Sequence, residues 1–265
     1  MDIMAVLMAT AVISITGLLI GLLLGMAGKK FAVEVDEKEV AVRELLPGNN
    51  CGGCGYAGCD AMAQAIAKGE APTNGCPVAS EAIAKQIAKV MGTESGETVK
   101  QVAFVKCNGT CEKTTIKYNY YGIKDCRKLA LLPGNGEKVC SYGCMGYGSC
   151  VSVCPFDAIH IVDGIAVVDK EKCKACKKCI EACPKNLIEL IPYEAKYRVA
   201  CSSNDMGKDV KAACDTGCIG CKICEKQCQF DAIHVENNLA KIDYEKCKGC
   251  GACAAKCPSK IILKA

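Results

Sequence analysis

The chain of 265 residues lacks tryptophan and has only four phenylalanines and two histidines. So few large side chains cannot fill one large apolar core, and small modules stabilised by covalent or metal bonds are expected instead. The net charge of +4 is small, and no stretch alternates basic and aromatic residues as a nucleic-acid-binding surface does. No G-x-G-x-x-G motif opens a helix after a strand, and no P-loop lysine motif occurs. No Ser-His-Asp or paired-carboxylate arrangement stands out, so we predict no catalytic residues.

Charge is also absent from residues 3–27. At about 1.5 Å of rise per residue, a helix of this length crosses a bilayer core of about 30 Å. Asp2 precedes the run and Lys29 and Lys30 follow it, which is not the charge order of a signal peptide. We therefore predict a transmembrane anchor over residues 1–28, a single span of the cytoplasmic membrane. Because basic flanks stay inside, all later residues should lie on the cytoplasmic side.

Cysteine is what the chain has in abundance, with 25 residues. Disulfides are rare in the reducing cytoplasm, so a cytoplasmic body favours metal ligation for most of these thiols. Between the anchor and the main cysteine runs, apolar periodicity predicts helices over residues 38–46, 60–68 and 78–91. Residues 92–100 are typical of a linker. Residues 101–133 contain a short apolar strand and three cysteines.

The second half of the chain is a repeat. Residues 154–184 and 228–258 align without a gap at an offset of 74 residues, with 16 of 31 positions identical. Each copy contains two strand-like segments joined by a good two-residue hairpin turn, Asp163-Gly164 in one and Asn237-Asn238 in the other. This pattern indicates duplication of a whole module.

The cysteine run C-x2-C-x2-C-x3-C-P gives three ligands to one cubane iron–sulfur cluster and its fourth to a second cluster. Two runs match with the proline, and a third matches in spacing but has Gln229 in its place. The runs are Cys173, Cys176, Cys179 and Cys183; Cys247, Cys250, Cys253 and Cys257; and Cys218, Cys221, Cys224 and Cys228. A zinc ribbon would show two separated C-x2-C pairs, so the runs favour [4Fe-4S] clusters over zinc.

At these runs the sequence resembles bacterial two-cluster ferredoxins, twice in tandem. The resemblance implies two clusters in each unit, with ligands from both runs of the unit. The regular sets that it implies are Cys154, Cys173, Cys176 and Cys179; Cys218, Cys221, Cys224 and Cys257; and Cys228, Cys247, Cys250 and Cys253.

One site of the first unit departs from this pattern, because Tyr147 stands where the offset from Cys221 predicts a cysteine. For this irregular site we predict the ligands Cys140, Cys144, Cys150 and Cys183. An earlier group with a glycine-rich loop predicts a further closed cluster site, formed by Cys51, Cys54, Cys59 and Cys76. Backbone amides in such a loop can approach the sulfides and tune the potential.

Five cysteines remain, and they leave the total at five or six clusters. A sixth cluster could be bound by Cys107, Cys126, Cys201 and Cys214, while Cys111 has no assigned role. Cys214 is the repeat counterpart of Cys140, so ligands could be exchanged between the sixth site and the irregular one. Ordinary buried thiols are an equally good interpretation of these residues.

The two histidines, His160 and His234, occupy the same position of the two repeats. A Rieske-type site would pair two histidines with two cysteines on one cluster. Each histidine instead follows its own FDAI segment, which favours a hairpin position common to both repeats.

The combination of an N-terminal anchor, the segment KKFAVEVDEKEVAVRELLPGNNCGGCGYAGC, Cys76-Pro77 and two ferredoxin units resembles the B subunit of Rnf complexes over essentially the whole chain. The resemblance implies an electron-relay subunit of a membrane-bound ferredoxin:NAD⁺ oxidoreductase coupled to Na⁺ or H⁺ translocation. It also implies soluble ferredoxin as electron donor and other subunits as partners, with NAD and flavin sites elsewhere.

The expected fold class is α+β: a transmembrane helix, a small helical four-cysteine module, and tandem ferredoxin-like units with short β-hairpins. The expected domains are 1–28, the anchor; 29–92, the N-terminal cluster module; 93–133, a connecting segment; and 134–195 and 196–265, the two ferredoxin-like units.

Three alternatives compete with this interpretation. A membrane-anchored polyferredoxin could serve a different dehydrogenase or reductase. A corrinoid-dependent methyl-transfer component would need a barrel-sized domain, for which the chain has no room. A metal-storage or zinc-scaffold protein would be colourless, whereas clusters give a brown colour bleached by dithionite.

Residues 170–185 hold six lysines against two glutamates, next to two of the expected clusters. Such a surface could attract an acidic ferredoxin through long-range electrostatics that salt would weaken. The equally weighted alternative is that these lysines only offset cluster charge and keep the module soluble.

Overall fold

A computed structural model describes residues 3–30, 36–96 and 99–264. The predicted anchor forms helix α1, Ile3–Lys30, and its span Thr10–Lys30 is long and apolar enough to cross a membrane. The large apolar side chains described in α1 are exposed. Parts of the expected anchor, N-terminal cluster module, linker and second unit, at residues 1–2, 31–35, 97–98 and 265, lie outside the described residues.

The N-terminal module consists of three helices, α2, Glu37–Leu45, α3, Cys59–Ala67, and α4, Glu81–Met91. They match the three predicted helices, except that α4 begins later than residue 78. The hydroxyl of Ser80 accepts a hydrogen bond from the Ile83 N–H, which fixes Ser80 as the N-cap. The module core is formed by Val42, Met62, Ala63, Ile66 and Ile87, none more than 1% exposed.

The connecting segment does not behave as a free linker. Its strand β1, Gln101–Val105, pairs antiparallel with β4, Ile188–Pro192, at the end of the first ferredoxin-like unit. The segment also contains the short helix α5, Cys126–Leu129, and it forms a β-bridge between Thr114 and Cys214 of the second unit. The connecting segment therefore packs on both units. The domain boundaries given above remain a prediction.

The two units repeat one arrangement, a short helix, a β-hairpin and a second short helix. In the first unit these are α6, Ser149–Ser152; β2, Ile159–Val162; β3, Ile165–Val168; and α7, Lys178–Ala182. In the second unit they are α9, Ile223–Lys226; β6, Ile233–Glu236; β7, Leu239–Ile242; and α10, Ala252–Lys256. The second unit adds β5, Tyr197–Val199, paired antiparallel with β8, Ile262–Lys264, and α8, Gly207–Ala213.

Both predicted hairpins are confirmed. Ile159 pairs with Val168 in the first hairpin, and Ile233 pairs with Ile242 in the second. The turn residues Asp163-Gly164 and Asn237-Asn238 all have positive φ. That conformation is what a tight two-residue hairpin turn requires, and Gly, Asn and Asp adopt it at the lowest cost.

Candidate metal centres

Each unit arranges its cysteines around cavities, and the second unit does so as the ferredoxin pattern predicts. One cavity, which we call site 5, is lined by Cys218, Cys221, Cys224 and Cys257. A second cavity, site 6, is lined by Cys228, Cys247, Cys250 and Cys253. Helices α9 and α10 pack against each other between the two sites. Cys224 of site 5 lies in α9 and Cys253 of site 6 lies in α10. The cysteine that follows each helix, Cys228 or Cys257, belongs to the other site.

In the first unit, the regular set forms site 2, defined by Cys154, Cys173, Cys176 and Cys179. Burial raises the pKa of Cys179 to about 12, and the neighbouring thiols of Cys173, Cys176 and Cys154 add to that effect. The backbone N–H groups of Ala158 and Ala103 donate to the sulfurs of Cys154 and Cys173, both at 3.4 Å.

The irregular site of this unit is built differently from the sequence-based expectation. One cavity, site 3, is lined by Cys126, Cys144, Cys150 and Cys183, so Cys126 occupies the place expected for Cys140. Burial raises the pKa of Cys150 to about 12, with further contributions from Cys144, Cys126 and Cys183.

The structure also explains why Tyr147 does not disturb site 3. Its hydroxyl is hydrogen-bonded to Glu137, and its ring lies 5.9 Å from that of Tyr120. Burial and Glu137 raise the pKa of Tyr147 to about 12. The missing thiol is supplied by Cys126 at the start of α5, where the hydroxyl of Ser149 accepts a hydrogen bond from the Cys126 N–H at 2.8 Å.

Cys140 lies in another cavity, site 4, together with Cys107, Cys201 and Cys214. Cys107, Cys201 and Cys214 belong to the set predicted for a sixth cluster. The fourth member of that predicted set, Cys126, lies in site 3, and Cys140 takes its place in site 4. Burial raises the pKa of Cys140, and Cys107 and Cys214 raise it further. Site 4 thus takes one thiol from the connecting segment, one from the first unit and two from the second.

The N-terminal group forms site 1, defined by Cys51, Cys54, Cys59 and Cys76. Cys59 begins α3, and Cys59, Cys76 and Cys54 adjoin the core of the module. Burial raises the pKa of Cys76, and the thiols of Cys54 and Cys51 add to that shift. The side-chain oxygen of Asn50 accepts a hydrogen bond from the Cys59 N–H at 2.8 Å, which holds the cysteine loop on the helix.

The six sites form one continuous series. Site 1 meets site 2 where Gly53 lies against the backbone of Cys176. Site 2 meets site 3 where helices α6 and α7 pack against each other. The Cys144 N–H of site 3 donates to the Cys107 sulfur of site 4 at 3.4 Å. The Cys218 N–H of site 5 donates to the Cys201 sulfur of site 4 at 3.3 Å. Site 4 therefore joins the two ferredoxin-like units.

The donor sets fit iron–sulfur clusters. Four sulfurs line each of the four cavities described above, and backbone N–H groups donate to several of these sulfurs, as in tuned cluster sites. Burial raises the pKa of Cys201 and of Cys224 to about 11, so a bound metal charge is needed to keep such groups ionised as ligands. Among the described residues, no three His, Cys, Asp or Glu side chains come close enough for a single ion.

Backbone conformation shapes the cysteine loops in a way that residue spacing alone did not indicate. In the first unit, Ala175 and Lys177 have positive φ, and in the second unit their counterparts are Gly249 and Gly251, also with positive φ. Such turns point successive N–H groups inward and create an anion-binding concavity. Ala175 and Lys177 adopt this conformation without the freedom that glycine has, a strain that the surrounding structure must offset.

Three groups lie outside the sites. His160 and His234 are on the hairpins, where each ring nitrogen Nε2 lies within 3.2 Å of the carbonyl oxygen of Asp157 or Asp231. Because a carbonyl only accepts, these contacts require a proton on Nε2. Cys111 is exposed, and its N–H donates to the Asp163 carbonyl of the hairpin turn.

Half of the lysines in residues 170–185 have partners within the protein. Lys172 pairs with Asp157 at 3.2 Å, and Lys170 lies over the Tyr193 ring at 4.2 Å. Lys185 is half-buried and donates to the Ser141 carbonyl. These contacts favour the structural role of the run over the docking role.

Comparisons with known proteins agree with these observations. A family model for an Fe-S cluster matches residues 46–78, and a 4Fe-4S dicluster domain matches residues 217–262. The LdpA Fe-S cluster-binding domain matches residues 150–194. The three matches cover sites 1, 2, 5 and 6 and two of the four cysteines of site 3.

Whole-chain relatives are also similar. The chain is 48% identical to the B subunit of the Na(+)-translocating ferredoxin:NAD(+) oxidoreductase complex of Acetobacterium woodii, over 97% of this chain and 78% of the relative. It is 45% identical to the B subunit of the ion-translocating oxidoreductase complex of Methanosarcina acetivorans, over 95% and 96%. It is 42% identical to the B subunit of the proton-translocating ferredoxin:NAD(+) oxidoreductase complex of Clostridium ljungdahlii, over 97% and 92%.

Proposed function

The chain belongs to the family of B subunits of Rnf complexes, the ion-translocating ferredoxin:NAD(+) oxidoreductases, and we propose that it relays electrons from reduced ferredoxin to membrane-bound subunits of such a complex. It is an electron-transfer subunit, and the complex couples electron flow to Na⁺ or H⁺ translocation. NAD and flavin chemistry is assigned to other subunits, since no G-x-G-x-x-G motif opens a helix after a strand in this sequence.

The observation that carries this function is the continuous series of six four-cysteine sites. It uses 24 of the 25 cysteines and leaves only Cys111 outside. Five contacts connect neighbouring sites: Gly53 on Cys176, helix α6 on α7, the hydrogen bonds at Cys107 and Cys201, and helix α9 on α10. The series is therefore a route through the whole soluble part. A storage protein would have no need for such contacts between sites.

Each site is assigned one [4Fe-4S] cluster, which would supply one-electron redox chemistry when bound. The chain's own residues provide thiolate ligands, exclude water by burial and donate backbone N–H groups to sulfur. The ligand assignments are those of sites 1 to 6, with Cys126 in site 3 and Cys140 in site 4.

The exchange of Cys126 and Cys140 has a direct test by paired substitution. When two cysteines bind the same cluster, replacing the second adds little to the effect of replacing the first. When they bind different clusters, the effects of the two replacements add. We expect Cys126→Ala with Cys150→Ala to remove the EPR signal of one reduced cluster, about as each single variant does. Cys140→Ala with Cys150→Ala should remove two. The measurement is EPR with iron and sulfide analysis of anaerobically purified protein.

Cys111→Ala is the matched control and should keep the full iron content of about 24 atoms per chain, as six four-iron clusters require. If Cys140 and Cys150 behave as one site and Cys126 and Cys150 as two, the sequence-based ligand set is right and the proposed one is wrong. An iron content of about 20 atoms per chain, as five four-iron clusters require, would argue against a sixth cluster.

We propose that residues after Lys30 lie on the cytoplasmic side, because Lys29 and Lys30 follow the apolar span. Cys111 offers a probe of this orientation, since it is exposed and outside the six sites. A membrane-impermeant maleimide should label Cys111 in inverted vesicles and leave it unlabelled in right-side-out vesicles. Cys111→Ala provides the background, and labelling of right-side-out vesicles alone would reverse the orientation.

A further inference from the structure

The internal duplication allows the surfaces of the two units to be compared position by position. Residues 154–184 and 228–258 share their sequence pattern and the order of hairpin and helix. Cys176 of site 2 and Cys250 of site 6 are therefore equivalent, as are Ala175 and Gly249. A difference in exposure between equivalent residues therefore shows that another part of the chain covers one of the two surfaces.

In the first unit this surface is covered by another cluster module. Cys176 is only 9% exposed and Ala175 only 5%. The N-terminal module covers them, because a Cβ added at Gly53 would lie 2.8 Å from the Cys176 carbonyl oxygen. The cysteine loop of site 1 thus lies directly on the cysteine loop of site 2.

In the second unit the equivalent surface is open. Cys250 is exposed, and the three atoms nearest to a Cβ added at Gly249 all belong to the flexible side chain of Lys196. Phe230 is 41% exposed beside the same cavity, whereas its counterpart Phe156 is half-buried. The series of sites therefore ends at an uncovered cysteine loop with an exposed aromatic ring next to it.

The charge of this surface is positive. Lys196 and Lys248 are exposed and line a groove beside Cys247, and neither has a carboxylate within ion-pairing distance in the described part of the chain. Glu194 is the one acidic side chain in the lining of that groove. Lys246, by contrast, is offset by Asp231 at 3.6 Å and Asp243 at 3.9 Å.

We propose that this surface, the distal face formed by Lys196, Phe230, Lys248, Gly249 and Cys250, is the docking site of a small acidic iron–sulfur protein of the ferredoxin class. The partner would take the position on site 6 that the N-terminal module takes on site 2. This inference rests on the proposed function. On transfer, the partner is oxidised by one electron and this chain is reduced by one, with no bond made or broken and no proton moved.

The test measures binding rather than turnover. The full-length, cluster-loaded chain in detergent is titrated with an oxidised, acidic two-cluster ferredoxin in a calorimeter at low and high salt. Lys196→Glu with Lys248→Glu should weaken binding at low salt by about tenfold or more and reduce its salt dependence, since charges at an interface rim govern electrostatic attraction. Phe230→Ala should weaken binding at both salt concentrations, whereas Phe156→Ala should not.

Lys174→Glu is the matched control, because Lys174 occupies the repeat position of Lys248 on the first unit and is also exposed. It should leave the affinity unchanged. Loss of affinity in Lys174→Glu but not in the distal-face variant would move the partner to residues 170–185 and overturn the proposal. Iron content checks that each variant has kept its clusters.

A second measurement uses the unaltered chain, so it does not depend on how the variants fold. Zero-length carbodiimide crosslinking to the same ferredoxin should join Lys196 or Lys248 to carboxylates of the partner. Crosslinks confined to other lysines would also refute the distal face. If the wild-type chain neither binds nor is reduced by ferredoxin, the proposed function itself fails, which is a different outcome from binding elsewhere.

Discussion

Replacing Cys214 with alanine is expected to divide the electron route into two halves. Cys214 belongs to site 4, the only site in the described residues with thiols from both ferredoxin-like units and the connecting segment. Replacing a residue that only hydrogen-bonds to a metal ligand already lowers metal affinity or activity by about 10–100-fold. Loss of a ligand itself should therefore slow electron passage across site 4 by at least about 100-fold. Sites 1 to 3 and sites 5 and 6 should remain intact.

Stopped-flow absorption with reduced ferredoxin measures this division. The wild-type chain should bleach in one fast phase, while Cys214→Ala should bleach in a fast and a much slower phase, whichever end receives the electrons. EPR should lose the signal of one cluster. Cys111→Ala, a cysteine outside the six sites, should behave as wild type. Single-phase bleaching of Cys214→Ala at the wild-type rate would mean that site 4 does not join the units.

Replacing Gly53 with alanine is expected to separate site 1 from site 2 without removing a ligand. The added Cβ would lie 2.8 Å from the Cys176 carbonyl oxygen and 2.9 Å from its Cα. Backbone atoms cannot rotate away as a side chain can, so the N-terminal module must shift. Overpacking of this kind costs about 1–3 kcal/mol, which corresponds to roughly a 5–150-fold loss of the docked arrangement.

The effect should appear in the rate of reduction of site 1, while the iron content stays at the wild-type value. Hydrogen exchange should become faster in the loop that contains Cys176. Gly143→Ala is a suitable control, because its added Cβ meets its nearest neighbour, the Cys140 sulfur, at 3.5 Å, an ordinary contact. Equal rates and equal exchange in Gly53→Ala and wild type would show that this contact does not hold the two sites together.

The two expected effects differ in kind. Cys214→Ala removes chemistry and leaves the packing of the modules largely unchanged, whereas Gly53→Ala changes packing and leaves the thiols in place. A chain in which only the number of clusters mattered would respond to the first and not to the second. A response to both would show that the contacts between the sites matter as well as the sites.

Much of the architecture was readable from local sequence. The anchor, the three helices of the N-terminal module and both hairpins follow from short-range patterns, and all of them lie where the patterns predict, within a few residues. Helix α4 begins three residues after the apolar pattern does, because Ser80 caps the helix. A serine before an acidic first turn is a signal that could have placed this boundary.

The grouping of thiols could be predicted only where a run is compact. Within C-x2-C-x2-C the ligands are neighbours on one loop, so spacing fixes them. Site 4 instead collects Cys107, Cys140, Cys201 and Cys214 from segments far apart in sequence. The free-energy cost of closing a loop rises only slowly with its length, so sequence distance does not rank such partners. For this reason spacing does not place Cys126, which lines one cavity with Cys144, Cys150 and Cys183.

Local sequence was enough to predict a membrane-spanning helix and cysteine runs of the cluster-binding kind, because these features depend on residues close together along the chain. Only the tertiary structure decided which of the scattered thiols face one another, that the connecting segment joins the two units, and that Cys176 is covered while Cys250 is open. These outcomes depend on packing between distant segments, where a single backbone contact such as Gly53 on Cys176 decides the arrangement.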